Sequence, residues 1–522
     1  MIKGLLLAAG VLLPVWAASA ADPPAAAPFE IEGPFIPANL IDEHVLAALK
    51  QRGIEPARLC SDEVFVRRAF LDVIGTLPEP DEVVAFLKDK RTDKRAALID
   101  DLLKRDEFAD YWSLKWCDLL RVKAEFPINL WPNAVQAYHH WVREAVATNT
   151  RYDEFARELL TATGSNFRVG PVNFCRAVQG REAGPLAAAA ALTFMGARIE
   201  GWPAERRAGL EALFSRVAYK STAEWKEEII CVDPGATVPL EAMLPDGTAV
   251  RVGVGEDPRR VFADWLTRAD NEWFAKAAVN RVWAWMLGRG IVEEADDLRA
   301  DNPGGHPELL AALAGELVGS GYDLRQVYRL IANSRTYQQS AVARCGQADA
   351  ERLWACYPVR RLDAEVLIDA LNGICGAAEK YSSPIPEPFT YIPEDQRTIA
   401  LADGSISSPF LELFGRPARD TGLMSERDNV PTDAQRLYLL NSSQVHAKIR
   451  QSGLVRRLQR VGRRDPRGLV ETLYLTILSR YPTEAEVEVV GAYRRSAGTR
   501  PGMVLEDVVW ALVNTKEFLY RH

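Results

Sequence analysis

The chain has 522 residues but only 6 histidines and 7 cysteines, and no two cysteines are spaced as Cys-x-x-Cys. That spacing is the local signature of zinc ribbons, thioredoxin-like redox sites and c-type haem attachment, so all three local motifs are excluded. Also missing are the G-x-S-x-G elbow, H-E-x-x-H, the P-loop and G-x-G-x-x-G, so none of the common local catalytic signatures applies. Positive charge is not in surplus: 63 basic against 71 acidic residues leave a formal charge of -8, which argues against a phosphate-binding surface and against nucleic acid as a partner. After residue 21 the longest apolar run, Pro185 to Ala197, falls short of the roughly 18 residues a membrane span needs. No transmembrane segment is expected in the mature chain.

What is present is ordinary globular composition, 48% hydrophobic and 26% charged, with room for two or three cores. Residues 1–21 read as a secretory signal peptide: Lys3 is the positive head, Leu5 to Val15 the apolar stretch, and Ala18-Ser-Ala20 the small-residue cleavage site. Cleavage near Ala20 predicts a periplasmic or secreted protein. The first cysteine, Cys60, is too far from that site for a lipid anchor. Residues 22–38, rich in Pro and Ala, suit an extended tether. The seven cysteines are expected mostly as small buried hydrophobes; if one bridge forms, Cys345 with Cys356 closes the shortest loop.

From Ile41 to about Lys220 the pattern is helical. Ser61 stands where a helix cap belongs, with Asp62 and Glu63 in the first turn and Gly75 as the stop. Pro80 suits the first position of the next helix. Ile99, Leu102, Leu103, Phe108, Trp112 and Leu119 share a face with a break near Asp106, and Tyr152, Phe155, Ala156, Leu159 and Leu160 follow i, i+3, i+4, i+7, i+8. Between residues 227 and 256 the period becomes that of strands: Ile229–Val232, Thr237–Leu240 and Ala249–Val254, separated by turns at Asp233-Pro-Gly235 and Pro245-Asp-Gly247. Helical patterning resumes at Pro258 and runs, with a loop-rich interruption from Tyr381 to Thr432, to a helix over Val504 to Tyr520. The fold class is therefore mainly α: two helical domains, 39–226 and 257–522, with a small antiparallel β-insert over 227–256. No internal repeat is found.

The polar residues most able to do chemistry lie in the second half. Asp296, Asp297, His306 and Glu365 are the acid/base candidates, and Arg281, Arg360 and Arg361 are candidates for holding an anion. Arg281 sits among Trp283, Trp285 and alanines, and a buried guanidinium needs a carboxylate or carbonyl partner, which Asp296 or Asp297 can provide. That internal network is favoured over an anion clamp. His306 precedes Pro307 and belongs at a helix start. His139 and His140 point about 100° apart on a helix, so they flank a packing stripe rather than share a metal.

A run of short motifs, Asp257-Pro-Arg-Arg260, Val279-Asn-Arg-Val-Trp283, His306-Pro-Glu-Leu-Leu310, Ser334-Arg-Thr-Tyr-Gln338, Phe410-Leu-Glu-Leu-Phe-Gly-Arg-Pro417 and Asn514-Thr-Lys-Glu-Phe518, resembles domain of unknown function 1553. Arg67-Arg-Ala-Phe-Leu-Asp72, Gly75-Thr-Leu-Pro78 and Tyr111-Trp-Ser-Leu-Lys-Trp116 are similar to its N-terminal companion, domain of unknown function 1549. The resemblance implies an exported protein of planctomycete type, with relatives sometimes fused to cytochrome c-like modules. It also marks a departure. Relatives often carry Cys-x-x-Cys-His where this chain runs from Arg198-Ile-Glu200 directly into Gly201-Trp202, and some carry a cysteine where this one has Gly422-Leu-Met-Ser-Glu-Arg427. No haem, metal or other cofactor is therefore expected. The expected role is a non-haem binding or scaffold protein with an envelope protein or an anionic or carbohydrate ligand as partner. The alternatives are a hydrolase or lyase acting on such a substrate, or a redox accessory that docks a separate c-type cytochrome.

Overall fold

A computed structural model describes residues 29–299, 301–461, 465–496 and 501–522. The signal-like segment and residues 22–28 of the tether lie outside the described residues. The rest of the tether is engaged: Glu30–Ile31 pairs antiparallel with Leu59–Cys60, and the Ser61 N–H donates to the Phe29 carbonyl at 2.8 Å.

The architecture is mainly α, and most helix boundaries follow local chemistry. Pro80 opens the Pro80–Lys88 helix, whose start is fixed by a capping box between Glu79 and Glu82. The expected break at Asp106 separates Lys94–Leu102 from Asp106–Leu119. In the Tyr152–Thr161 helix the whole expected stripe is buried. Ser61 does occupy the N-cap of Asp62–Val73, but its hydroxyl makes no capping bond and is buried without a partner. Gly75, at φ +65°, ends that region for a second reason: a Cβ there would stand 2.5 Å from the Tyr111 ring. Gly75→Ala is thus expected to cost about 2 kcal/mol in urea denaturation, through overpacking and a left-handed backbone.

Three expectations are corrected. Val217–Ser221, assigned to a helical domain, is a strand; it pairs antiparallel with Glu228–Val232, which pairs on its other side with Gly164–Ser165. Strand structure therefore begins before residue 227. The second strand of the insert is Leu240–Met243, not 237–240, and it forms a hairpin with Ala249–Val252 through the Pro245–Gly247 turn. The last helix stops at Val513; Thr515 caps a new short helix, and Tyr520–Arg521 then pairs with Arg360–Arg361. All seven cysteines are free, Cys345 and Cys356 included.

The two helical halves share one core. Trp112 and Trp116 of the Asp106–Leu119 helix meet Trp285 with ring centres 5.9 and 5.3 Å apart, and Trp112 also packs 4.1 Å from Tyr328. Tyr152 stacks on Phe274 at 4.6 Å. Burying each such ring is worth roughly 1.5–3 kcal/mol, so the joint is energetically substantial. Arginines add polar stitches. Arg67 donates to the Ile477 and Phe518 carbonyls, and Arg68 to those of Tyr337, Gln339 and His522.

Candidate functional site

Between the halves lies a buried chain of ion pairs, and periodicity explains how the first half builds its side. Tyr111, Lys115 and Asp118 stand at i, i+4 and i+7 of one helix and so project from one stripe; Asp72 joins them from the end of Asp62–Val73. The second half answers with three elements. Asp363 stands at the N-cap position of the Ala364–Cys375 helix without making a side-chain capping bond, and Glu365 lies in its first turn, where the helix dipole favours negative charge. The loop from 415 to 429 brings Arg416, Arg419, Arg427 and Asn429, and the Tyr520–Arg521 strand brings Arg521.

The contacts are continuous. Asp72 meets Arg360 at 2.7 Å and Arg521 at 2.9 Å, and accepts from the Tyr337 and Tyr357 hydroxyls at 3.0 and 2.7 Å. Arg521 passes on to Asp363 at 3.1 Å, which also takes Lys115 at 2.8 Å, Tyr111 at 3.0 Å and Asn429 at 2.7 Å. Arg427 bridges Asp118 and Glu365, each at 2.7 Å, while Arg419 holds the other oxygen of Asp118 at 2.9 Å and Arg416 stands 3.3 Å from Glu365. Burial alone raises the Glu365 carboxyl, but Arg427 and then Arg416 outweigh it and hold the group at about 2. Burial pushes Asp363 the same way, and Lys115, Arg521 and Arg427 hold it well below the usual carboxylate range. Burial, reinforced by Arg427, brings the Lys115 ammonium down to about 8 against the pull of Asp363.

Because the folded Glu365 titrates below its unfolded value, its contribution is complete above about pH 4.5 and lost as pH falls toward about 2. Asp363 acts in the same direction. Stability should fall by about 3 kcal/mol for Glu365 alone over that window. Melting temperatures measured from pH 6 to pH 2 check this, and Glu365→Gln should flatten the slope.

The acid/base candidates do not meet. Asp296 pairs with Arg281 through Oδ1 at 2.9 Å and accepts the Met424 N–H on Oδ2 at 2.6 Å. Arg281 also donates to the Thr193 and Leu192 carbonyls, so its partner is Asp296 rather than Asp297. Asp297 pairs with Arg299 at 2.9 Å, partly exposed. His306 sits at the N-cap of Pro307–Gly319 but makes no capping bond; its ring lies 5.1 Å from that of Trp354, and burial, with Arg52 adding, lowers it to about 4. Glu365 belongs to the ion-pair chain. The arginines are equally dispersed: Arg360 on Asp72, and Arg361 on the Phe414 and Asp428 carbonyls. They form no common clamp. His139 is half-buried and His140 exposed beside the buried Tyr138, Val142 and Ala145.

Sequence reading missed Asp72, Lys115, Asp118, Arg416, Arg419, Arg427 and Arg521. The signal for two of these, Lys115 and Asp118, was available, since with Tyr111 they form a stripe at i, i+4, i+7 of one helix.

Residues 40–195 match the family described as protein of unknown function (DUF1549), and residues 258–494 match protein of unknown function (DUF1553). The chain carries both domains. No curated protein and no solved structure matches it. The seam just described is the joint between the DUF1549 helices and the DUF1553 helices. The Gly422–Arg427 stretch noted for its missing cysteine meets Asp296 through the Met424 N–H, and Asp296 is tied through Arg281 to the Leu192 and Thr193 carbonyls of the Ala183–Met195 helix. The direct passage from Glu200 to Trp202 is a single 3-10 turn, Ile199–Gly201. Among the described residues, no three His, Cys, Asp or Glu side chains gather as a metal site, and no helix is long and apolar enough to cross a membrane.

Proposed function

We propose that this chain is an exported, non-haem binding or scaffold protein of the cell envelope. Export rests on the signal-like residues 1–21, and the non-haem reading rests on the missing Cys-x-x-Cys-His segment. The observation that carries the binding role over an acid/base enzyme is the fate of the carboxylates. Asp296 and Glu365 are committed to arginines inside the protein, and Glu365 is held too acidic to exchange a proton near neutral pH. The same arginines reach across the joint, Arg427 to Asp118 and Arg281 to the Leu192 and Thr193 carbonyls, so the network holds the two domains together and leaves function to the surface.

The test is complementation of a strain lacking the gene. Asp297→Asn and His306→Gln break no interdomain ion pair, so both variants are expected to restore wild-type behaviour in full. Loss of function in either variant, with an unchanged melting temperature, contradicts the reading and favours an enzyme. Fractionation of the same strain is expected to recover the protein in the envelope, with a new N-terminus next to Ala20; retention of residues 1–20 in the cytoplasm contradicts export.

A further inference from the structure

The roomiest of the cavities described, about 560 Å3, lies away from the ion-pair seam and outside the acid/base candidates. Its walls come from the start of the Ala204–Ala212 helix, the Pro245–Gly247 hairpin turn and the segment after the Pro258–Leu266 helix. The first two belong to the stretch between the DUF1549 and DUF1553 matches. Gly209 lets the helix and hairpin close on each other, since a Cβ there would stand 2.5 Å from the Met243 Cβ.

Two indoles line the cavity. Trp265 and Trp273 have ring centres 5.7 Å apart, tilted by 44°, and Trp273 is half-buried. Trp265 is held in place by its Nε1–H, which donates to Asp246 at 2.7 Å. Over this wall lies Arg206, whose guanidinium stacks 4.1 Å from the Trp202 ring centre and 5.8 Å from that of Trp273. Arg206 makes no ion pair or hydrogen bond with another described residue, and its Nε is buried without a partner. A planar fork of donors is therefore placed at the cavity without a direct protein acceptor, Asp246 and Glu272 attracting it only from longer range. On the rim Arg268 is already paired with Asp270 at 2.6 Å, while Glu272 is exposed.

These features select a ligand class. A polyanion meets four lining carboxylates and one unpaired arginine, and is repelled. A cation at Trp273 would meet the like charge of Arg206, whose guanidinium stands 5.8 Å from that ring centre, a repulsion that a neutral ligand does not feel. A wholly apolar ligand would leave Arg206 and Glu272 desolvated without a direct partner. A neutral ligand with an apolar C–H face for indole and a fringe of hydroxyls for Arg206 and the carboxylates satisfies all three constraints, in a volume typical of small-molecule sites. We infer that this cavity is a binding site for a neutral oligosaccharide. The inference deepens the binding-protein reading and rests on it only for the idea that function lies at the surface.

The experiment is calorimetric titration of the full mature chain with cellotetraose, xylotetraose, mannotetraose, laminaritetraose and chitotetraose, alongside a heparin tetrasaccharide and choline. At least one neutral sugar is expected to bind one-to-one in the millimolar range or tighter, and Trp273→Ala and Arg206→Gln are each expected to weaken it roughly tenfold. Melting temperatures should stay as in the wild type; if Trp273→Ala does not fold, the half-buried Arg206→Gln carries the test. No heat with any neutral sugar at roughly 10 mM overturns the inference. So does neutral-sugar binding that both variants leave unchanged, or tighter binding of heparin or choline that Trp273→Ala removes. Failure here with intact complementation by Asp297→Asn and His306→Gln sinks the sugar site alone, whereas failure of that complementation sinks the non-enzymatic reading whatever the titrations show.

Discussion

Replacing Arg427 by methionine should cost about 3–5 kcal/mol of unfolding free energy. Methionine keeps much of the aliphatic volume but leaves Asp118 and Glu365 without the cation each meets at 2.7 Å. Arg419 still reaches Asp118 and Arg416 still stands near Glu365, so both carboxylates stay charged while losing their shorter contact. An uncompensated charge in the interior costs more than the pair was worth, which makes removing one partner harsher than removing both. Urea denaturation of Arg427→Met beside the triple variant Arg427→Met, Asp118→Asn, Glu365→Gln checks this: the single substitution should be the more damaging per charge removed.

Gly415→Ala is expected to be of similar size, about 3 kcal/mol or more, for a steric reason. Gly415 has φ +81°, and a Cβ there would fall 1.6 Å from the Asp428 carbonyl oxygen. The Asp428 N–H donates to the Gly415 carbonyl at 3.1 Å, so two backbone segments run nearly in contact. One segment leads into Arg416 and the other follows Arg427, and both arginines act on Glu365. Forcing the segments apart therefore disturbs packing and ion pairs together. Insoluble expression, or a melting temperature well below the wild type, is the expected result; a wild-type melt contradicts the close approach.

Legibility followed the range of the interaction. The Tyr152–Thr161 stripe was readable because five buried residues repeat at helical spacing within ten positions. The partnership of Arg281 with an acid nearby was readable because the two are 15 residues apart and a buried guanidinium demands it. Val217–Ser221 was misread because its strand character comes from pairing with Glu228–Val232 rather than from its own composition. The candidate site suffered most. Glu365 was singled out as an acid, yet its nature is decided by Arg427, 62 residues on, and Asp118 is joined to that same arginine across 309 residues. No periodicity encodes contacts of that separation. The sugar cavity was invisible for the same reason, since Arg206, Asp246 and Trp273 become neighbours only when the hairpin folds onto the helix.

The central claim is that the buried ion pairs fasten the DUF1549 and DUF1553 helices into a single cooperative body. Scanning calorimetry of the mature chain at neutral pH tests it most directly when wild type and Arg427→Met are compared. One transition for the wild type, shifted to lower temperature as a whole in the variant, is the predicted result. Two separated wild-type transitions, with Arg427→Met moving neither or only one, contradict it.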